Sequence, residues 1–291
     1  MIRSLRIYTD LVETQSFTEA AHRNYLTQSA VSQHLKALEE RLGHKLVERG
    51  RRRVKMTAAG TLVYEASKEI LRRYEEMERA LKRPFGEVSG PLKVGTIYSV
   101  GLHELPSYIA SYLENFPEVD LQLIYLKANE VYDAVATDRV DLGIVAYPKI
   151  LPQFETLMFK KDELVLIMNR KHRWRKRKKV SLKDLSEEPY EALQVDMPTR
   201  RALDALFREE GIRPPVLHEF DNIEVLKKAV EVGPGVSIVP RATVSSEVQA
   251  GTLIVVELTE GPFERPLGVL HRKRAELSLP AQEFVQILLK P

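Results

Sequence analysis

The sequence predicts an α/β protein in two parts, and three observations support this fold class. Apolar residues recur at intervals of three and four along residues 1–42, as in short amphipathic helices. The same spacing continues over residues 58–82 without a proline, which predicts one long helix. From Leu92 onward, short apolar runs alternate with helical patterns, and this alternation predicts a parallel sheet with helices on its faces.

Composition narrows the class of protein. The chain has 291 residues, of which 44% are hydrophobic and 29% are charged, and it has no cysteine. These values are typical of a soluble globular protein with two or more domains, and they exclude disulfides and thiolate metal sites. The start, MIRSLRIYTD, lacks the apolar core of a signal peptide, and no apolar run reaches the roughly 18 residues of a membrane span. We therefore expect a cytoplasmic protein with no membrane contact.

Residues 16–42 predict two helices joined by a short turn. Ser16 suits the N-cap of the first helix, and Glu19 three residues later completes a capping box. That helix should end near Asn24, and Thr27 can cap the second helix. We expect the second helix to bury an apolar stripe with steps of four, three and four residues: Val31, Leu35, Leu38 and Leu42.

The opposite face of the second helix is polar, and its members cluster near the helix N-terminus: Gln28, Ser29, Ser32, Gln33 and Lys36. These side chains can form hydrogen bonds, and this end of a recognition helix meets base edges in the major groove of DNA. The alternative is a surface helix with a solvated polar face, and the spacing alone does not decide between the two.

The next stretch, residues 45–57, favours the DNA-binding interpretation. Its cations stand against one acidic residue, Glu48: Lys45, Arg49, Arg51, Arg52, Arg53 and Lys55. Gly50 lies at the centre of the stretch, which predicts a two-stranded wing whose basic tip contacts phosphates or a narrow minor groove. Residues 1–90 hold 17 Lys and Arg against 12 Asp and Glu, whereas the remainder holds 27 against 29. The excess positive charge therefore lies in the part expected to contact the polyanion.

Residues 5–60 closely resemble the winged helix-turn-helix of LysR-type transcriptional regulators, through FTEAAHRNYLTQSAVSQHLKALEERLG and KLVERGRRRVKMTAAG. The family commonly has Leu-Phe before the wing, and Leu46-Val47 here keeps an apolar residue. The motifs FPEVDLQL, DRVDLGIVA and VEVGPGVSIVP follow in order, so the resemblance covers nearly the whole chain. It implies an N-terminal winged helix-turn-helix and a long linker helix, followed by a two-lobed effector domain that is similar to periplasmic solute-binding proteins.

The resemblance and the residue patterns together divide the chain into five segments. These are a DNA-binding domain at 1–57, a linker helix at 58–83, a hinge at 84–91, effector lobe I at 92–161 and 266–291, and effector lobe II at 162–265. Lobe I is thus completed by the C-terminal end of the chain.

The predicted linker helix is about 37 Å long at about 1.5 Å per residue, which exceeds what a small winged domain can cover. Its apolar stripe therefore predicts contact with a second copy of the chain: Val63, Ala66, Ile70, Tyr74, Met77 and Leu81. Packing on the chain's own C-terminal domain is the alternative. The family uses such a helix for dimerisation, and the sequence leaves open whether dimers pair into tetramers.

Ligands in open α/β sheets bind beyond the carboxyl ends of the strands, and here two such ends also open helices. Hydroxyl and backbone N–H groups at a helix N-terminus favour an anion, although Asp196 argues against a purely anionic pocket unless Arg200 pairs with it. For Ser99 and Thr199 the alternative role is plain N-capping, and for Tyr147 it is a partly buried ring. The residues expected to contact an effector, supported in part by the resemblance, are Ser99, Val100, Asn129, Tyr147, Asp196 and Thr199.

Residues 170–179, RKHRWRKRKK, hold eight cations in ten positions. A solvated surface loop is the simpler interpretation of this run. An accessory contact with DNA or with an acidic partner is the alternative.

The preferred hypothesis is a sequence-specific transcription regulator. We expect it to bind double-stranded DNA at an interrupted palindrome, to respond to a small-molecule effector, and to self-associate as a dimer or tetramer, with RNA polymerase as a further candidate partner. The alternative is a solute-binding protein or enzyme with an incidental winged domain. We find no catalytic set, no metal-ligand spacing among the seven His residues, and no cofactor motif, so we expect no enzyme, metal or cofactor. Effector identity, target genes and the sign of regulation do not follow from the sequence.

Overall fold

The computed structural model describes residues 1–49, 54–81, 87–273 and 276–290. The chain forms two compact units, Met1–Glu87 and Val88–Pro291. Arg51, Arg52 and Arg53 of the predicted wing tip, and the first three residues of the hinge expected at 84–91, lie outside the described residues, as do the side chains of Arg49 and Leu81. In the parts of the chain that are described, no helix is long and apolar enough to cross a membrane.

The first unit contains four helices and a hairpin in its described part: α1 (Ile2–Thr14), α2 (Phe17–Arg23), α3 (Gln28–Leu42), β1 (Val47–Arg49), β2 (Val54–Met56) and α4 (Ala58–Leu81). Their shared core includes Leu11, Val31 and Leu35. The expected burial of Leu42 is wrong, because this side chain is 42% exposed at the last residue of α3. Gly43 follows with a φ of 72°, which turns the chain away before Leu42 can reach the core.

The caps expected for the helix pair are present with one exception. The Ser16 side chain accepts the Glu19 N–H at 3.2 Å, and the Thr27 side chain accepts the Ala30 N–H at 3.2 Å. The capping box is incomplete, because the backbone N–H of Ser16 donates to Thr14 Oγ1 at 3.4 Å. The competing acceptor on Thr14 therefore takes the place of the Glu19 carboxylate.

The start of α4 is packed tightly against the wing and α1. Thr57 caps α4 by accepting the Gly60 N–H at 2.9 Å, and its own hydroxyl donates to Lys45 O at 2.6 Å. A Cβ at Gly60 would overlap the carbonyl oxygen of Leu46, and Tyr8 Oη donates to Gly60 O at 2.9 Å. Gly60 is therefore required by close backbone approach.

The second unit contains the remaining elements: β3 (Gly90–Thr96), α5 (Tyr98–His103), α6 (Leu105–Asn115), β4 (Val119–Tyr125), α7 (Ala128–Ala136), β5 (Leu142–Ala146), β6 (Phe154–Asn169), β7 (Lys179–Val180), β8 (Tyr190–Leu193), α8 (Pro198–Glu209), β9 (Val216–Phe220), α9 (Ile223–Val232), β10 (Ser237–Pro240), α10 (Ser245–Ala250), β11 (Leu253–Leu258), β12 (Phe263–Arg272) and α11 (Leu279–Leu289). Two 3₁₀ turns, Leu182–Glu187 and Arg241–Val244, complete it.

The main sheet of this unit is mixed, and the predicted parallel arrangement is confirmed for its first three strands. Its described strands run in the order β4-β3-β5-β12-β6-β11-β7, with β10 also paired to β6. Strands β3, β4 and β5 are parallel, whereas β6 is antiparallel to β10, β11 and β12. Strand β6 begins at Phe154, well before the predicted run ELVLIMN, because its central residues KKDE interrupt the apolar pattern. Strands β8 and β9 form a separate parallel pair.

The second unit has separate apolar cores toward the two ends of the β6–β12 pair. One core includes Leu92, Leu142 and Phe284, so the C-terminal helix α11 packs beside β3 and β5. Another includes Leu166, Trp174 and Phe207. We call these the first lobe and the second lobe, and β6 and β12 run through both. The residue-level lobe boundaries remain a prediction.

Candidate functional site

The polar face of α3 is directed away from its own core. Gln28, Ser29, Gln33 and Lys36 are exposed, and Ser32 is partly exposed. Lys36 Nζ lies 3.6 Å from a carboxylate oxygen of Glu40, a solvent-exposed contact that holds the ammonium group only weakly. These side chains can therefore reach a partner without breaking buried interactions.

A buried carboxylate on the same helix holds the base of the wing. Glu39 Oε1 accepts the N–H of Leu46 at 2.9 Å and that of Val47 at 3.5 Å, and Glu39 Oε2 accepts from Lys45 Nζ at 2.7 Å. Burial alone would raise the pKa of the Glu39 carboxyl, but these three hydrogen bonds outweigh it and hold the pKa below its ordinary value of 4.5. The ionised carboxylate of Glu39 thus ties α3 to β1, a role that no sequence pattern indicated.

An open groove of about 380 Å³ lies between α3 and the wing. Ser32, Gln33 and Lys36 line it from the helix, and Lys45 and Val47 line it from the wing side. The structure therefore brings three of the predicted DNA-binding residues and the base of the wing to one surface.

The stripe on α4 divides between two environments. Val63, a member of the predicted stripe, packs partly against the first unit's own core. Two other residues of α4, Ser67 and Leu71, are buried. Three apolar members and one neighbour remain exposed: Ala66, Ile70 at 43%, Met77 at 48% and Leu62 at 70%. Tyr74 is partly exposed.

A cavity of about 470 Å³ opens between the two lobes of the second unit. Residues after β3 and β4 line it from the first lobe, and residues after β8 and β9 line it from the second. Four of the predicted effector contacts line the cavity: Ser99, Asn129, Asp196 and Thr199. Such a volume suits a small metabolite.

Two predicted effector residues are not among those that line the cavity. Val100 is fully buried in the first lobe's core, because α5 turns this side chain inward directly after Ser99. Tyr147 is not among the cavity's lining residues; its ring packs against the same core, and its N–H donates to Pro266 O at 2.8 Å. Tyr147 has a φ of 49°, an uncommon conformation for a residue with a side chain.

Neither Ser99 nor Thr199 serves as an N-cap. The N-caps of α5 and α8 are Ile97 and Met197, and neither makes a side-chain cap hydrogen bond. Ser99 and Thr199 lie one position inside the first turn, and both are mostly buried. The N-capping alternative for these two residues is therefore wrong.

The cavity's principal cation, Arg265, was missed by the sequence analysis. It is 1% exposed and lies opposite Asp162 in the β6–β12 ladder, with Nη2 donating to Asp162 Oδ2 at 2.8 Å. Nη1 donates to Ser99 Oγ at 3.0 Å, and Nε has no hydrogen-bond partner among the described residues. Burial raises the pKa of Asp162 and lowers that of Arg265, and their mutual attraction offsets part of each shift. The only sequence signal was an arginine near the start of an apolar strand, directly after Glu264.

A pocket for purely anionic ligands was expected only if Arg200 pairs with Asp196. Arg200 pairs with other carboxylates instead. Arg200 Nε donates to Asp204 at 2.8 Å, and Nη1 donates to Glu219 at 2.9 Å. The cations lining the cavity are Lys127 and Arg265, and the acids are Glu130, Asp196 and Asp221.

A polar contact between α5 and α9 also joins the lobes beside the cavity. His103 Nε2 lies 2.7 Å from Glu224 Oε1, and Glu224 directly follows the cavity residue Ile223. Glu224 Oε2 also lies 2.8 Å from Lys227 Nζ, which is buried and lies 3.0 Å from Glu247. Burial would raise the pKa of Glu224, but the contacts with Lys227 and His103 lower it overall.

A winged helix-turn-helix joined in one chain to a two-lobed α/β unit with a cleft defines the class of ligand-responsive DNA-binding regulators. Comparison with known families agrees. Residues 2–61 match the bacterial regulatory helix-turn-helix protein, lysR family, and residues 85–290 match the LysR substrate binding domain. The chain belongs to the LysR family: it is a LysR-type transcriptional regulator with a DNA-binding domain and an effector-binding domain.

Similar proteins span the whole chain. The HTH-type transcriptional activator CmpR of Synechocystis is 28% identical over 287 residues, which cover 99% of this chain and 94% of CmpR. HinK, a LysR family regulator from Pseudomonas aeruginosa, is 27% identical with a TM-score of 0.63, over 99% of this chain and 97% of HinK. Full-length CbnR in a complex with its target DNA has a TM-score of 0.68 at 22% identity, over 99% and 98% of the two chains, which shows a shared fold.

Proposed function

We propose that two copies of the chain bind an interrupted palindrome in duplex DNA. Each α3 would place Gln28, Ser29, Ser32 and Gln33 at base edges, with Lys36 on a nearby phosphate. Arg49, Arg51, Arg52 and Arg53 of the wing would contact the backbone or the minor groove. The observation that carries this proposal is the exposed polar face of α3, held beside the base of the wing by Glu39. The half-sites should be about one helical turn, or a multiple of it, apart.

A double variant, S32A/Q33A, tests the assignment of base contacts. Because one good bidentate contact provides about 1–3 kcal/mol of discrimination, operator affinity should fall roughly tenfold or more. Affinity for scrambled DNA should stay the same, because phosphates supply it. Fluorescence anisotropy at a fixed salt concentration measures both. The matched control is S246A/Q249A, at exposed positions of α10. An equal loss on operator and scrambled DNA would exclude base recognition by these residues.

Dimerisation is proposed through α4. The exposed side chains of Ala66, Ile70 and Met77, together with Leu62, form an apolar surface that the first unit does not cover itself. Tyr74 and Leu81 belong to the same predicted stripe, and Val63 lies at its boundary with the core. An I70E variant should shift sedimentation toward monomer, whereas K68E, at an exposed position two residues away, should not. Dimers that persist in I70E would rule out this face.

The effector is proposed to be a small organic molecule with one anionic group, bound between the lobes. The orphaned Nε of Arg265, with Ser99 and Thr199 nearby in the cavity lining, favours one acceptor group. Asp196 and Asp221 favour donor groups such as hydroxyl or amine at the other wall. Multiply charged inorganic anions suit this lining poorly, because acids outnumber cations in it. Asn129 contributes an amide that can serve either role. The chain is proposed to act by binding, with no reaction catalysed.

A thermal-shift screen tests the pocket, because a ligand that binds only the folded form raises its apparent stability. Hydroxy- and amino-carboxylates should stabilise the protein more than phosphate or sulfate does. Once a stabilising compound is found, S99A and T199A should each reduce the shift, while T137A, at an exposed position, should retain it. A full shift in both S99A and T199A would show that the ligand binds elsewhere. Such a ligand can regulate DNA binding only by favouring one arrangement of the lobes.

A further inference from the structure

A strongly charged loop of the second unit has no role in either proposed site. Residues 170–179 hold eight Lys and Arg. Outside this loop, residues 88–291 hold 19 Lys and Arg against 29 Asp and Glu. The loop is therefore a concentrated positive surface on an otherwise acidic unit.

The loop is held in a defined conformation by an aromatic anchor. Trp174 is buried in the second lobe's core, and the His172 ring packs edge-on against it with centroids 5.1 Å apart. The guanidinium groups of Arg173 and Arg177 lie 5.3 and 5.4 Å from the Trp174 ring centroid. Arg173 also donates to Glu188 at 2.6 Å, and Arg177 donates to Asp184 at 2.9 Å. These two arginines therefore serve the loop's own structure.

Of the remaining six cations, Lys179 Nζ lies 3.7 Å from Glu257 Oε2, and the other five point outward. Arg170, Lys171, Arg175, Lys176 and Lys178 are exposed, and across the described ranges none of them has an ion-pair partner within 4.0 Å. The Arg175 guanidinium donates a hydrogen bond of 3.5 Å to His172 O within the loop. Five positive charges on a fixed scaffold thus face solvent with little local compensation.

The chemistry of this surface favours a polyanion over a protein partner. Protein interfaces are depleted of charge at their centre and use aromatic and apolar anchors, yet every residue that this loop exposes is cationic. A sugar-phosphate backbone needs only positive charge at the surface that meets it. We propose that residues 170–179 form a second DNA-contacting surface, which binds phosphates without reading sequence. This inference rests on the proposed DNA binding by the first unit.

The salt dependence of DNA binding tests this proposal in the full-length chain. Three of the outward cations are neutralised in R175Q/K176Q/K178Q, and the control R139Q/R213Q/K290Q removes the same charge from other exposed positions of the second unit. Affinity for a long operator fragment is measured by anisotropy between about 50 and 200 mM salt. The magnitude of the log–log slope should fall by about 0.9 for each phosphate that the variant no longer neutralises, whereas the control should keep the wild-type slope.

A charge-preserving variant, R175K/K176R/K178R, should retain the wild-type slope, which separates loss of charge from loss of structure. An unchanged slope in the neutral variant would overturn the proposal. An unchanged slope combined with an altered salt dependence of self-association would also overturn it, and would indicate an acidic surface of another copy as the partner. The same slopes are measured on scrambled duplex, so the loop's contribution is decided even if no operator-specific complex forms. The absence of an operator-specific complex would count against base recognition by α3.

Discussion

The proposed DNA-binding face on α3 and the proposed effector cleft differ in how they are constructed. The face on α3 lies within nine residues of the chain, 28–36, of which Gln28, Ser29, Gln33 and Lys36 are exposed and Ser32 is partly exposed. The cleft depends on Ser99, Asp162 and Arg265, which are far apart in the chain and are joined by buried hydrogen bonds. Substitutions on the first should therefore change binding with little effect on stability, whereas substitutions in the second should change both.

The largest expected effect is in the cleft. R265L leaves Asp162 buried without its partner, and breaking such a pair costs about 3–5 kcal/mol. R265L/D162L should recover most of this stability, because two apolar residues remove both desolvation costs. Urea denaturation gives the free energies of unfolding. Neither variant should show ligand-dependent stabilisation. A double variant as unstable as R265L would mean that packing, and not charge, dominates at this position.

The next largest effect is expected at Glu39, the buried carboxylate that joins α3 to the base of the wing. E39A should cost about 1–3 kcal/mol, because the buried N–H of Leu46 loses its acceptor. The pKa of Glu39 is lowered in the folded chain, so its stabilising contribution is complete above the unfolded pKa and is lost as pH falls through the folded pKa. In urea titrations at several pH values, the wild type should lose stability below pH 4.5 more steeply than E39A does. Parallel pH profiles for the two proteins would contradict this role.

A smaller effect is expected at the lobe contact. His103 and Glu224 are partly exposed, so their interaction should be worth about 0.5–1 kcal/mol. A double-mutant cycle with H103A and E224Q, followed by the unfolding of the second unit, isolates this interaction energy. A cycle that closes to zero would show that this contact contributes nothing to holding the lobes together. Glu224 also contacts Lys227, so E224Q by itself should cost more than H103A.

The smallest change in stability is expected at Lys36. K36A removes only an exposed ion pair with Glu40, so the free energy of unfolding should change by less than about 0.5 kcal/mol. Its affinity for DNA should nevertheless fall, and the salt slope should decrease by about 0.9 if Lys36 neutralises one phosphate. Anisotropy and urea denaturation on the same preparation measure both quantities. If K36A lost stability but kept its affinity for DNA, the expectation that substitutions on the α3 face change binding and not stability would be contradicted.

The sequence by itself determined the helix pair, the wing, the long helix and the polar recognition face, because each depends on residues near one another in the chain. Local caps and three- and four-residue spacing are enough to specify such elements. It could not predict that Leu42 stays exposed or that Thr14 displaces the Glu19 carboxylate, because these outcomes depend on where the chain turns and which acceptor is nearer.

The tertiary structure alone decided the chemistry of the cleft. Strand register brings Arg265 opposite Asp162 and within 3.0 Å of Ser99, although 166 positions separate Arg265 and Ser99 in the chain. No local pattern predicts a pairing at that distance. The packing of α5 likewise decided that Val100 lies in the core, and Tyr147 is not among the lining residues. Burial makes the Arg265–Asp162 ion pair important for stability, because a charge removed from water needs a partner inside the fold.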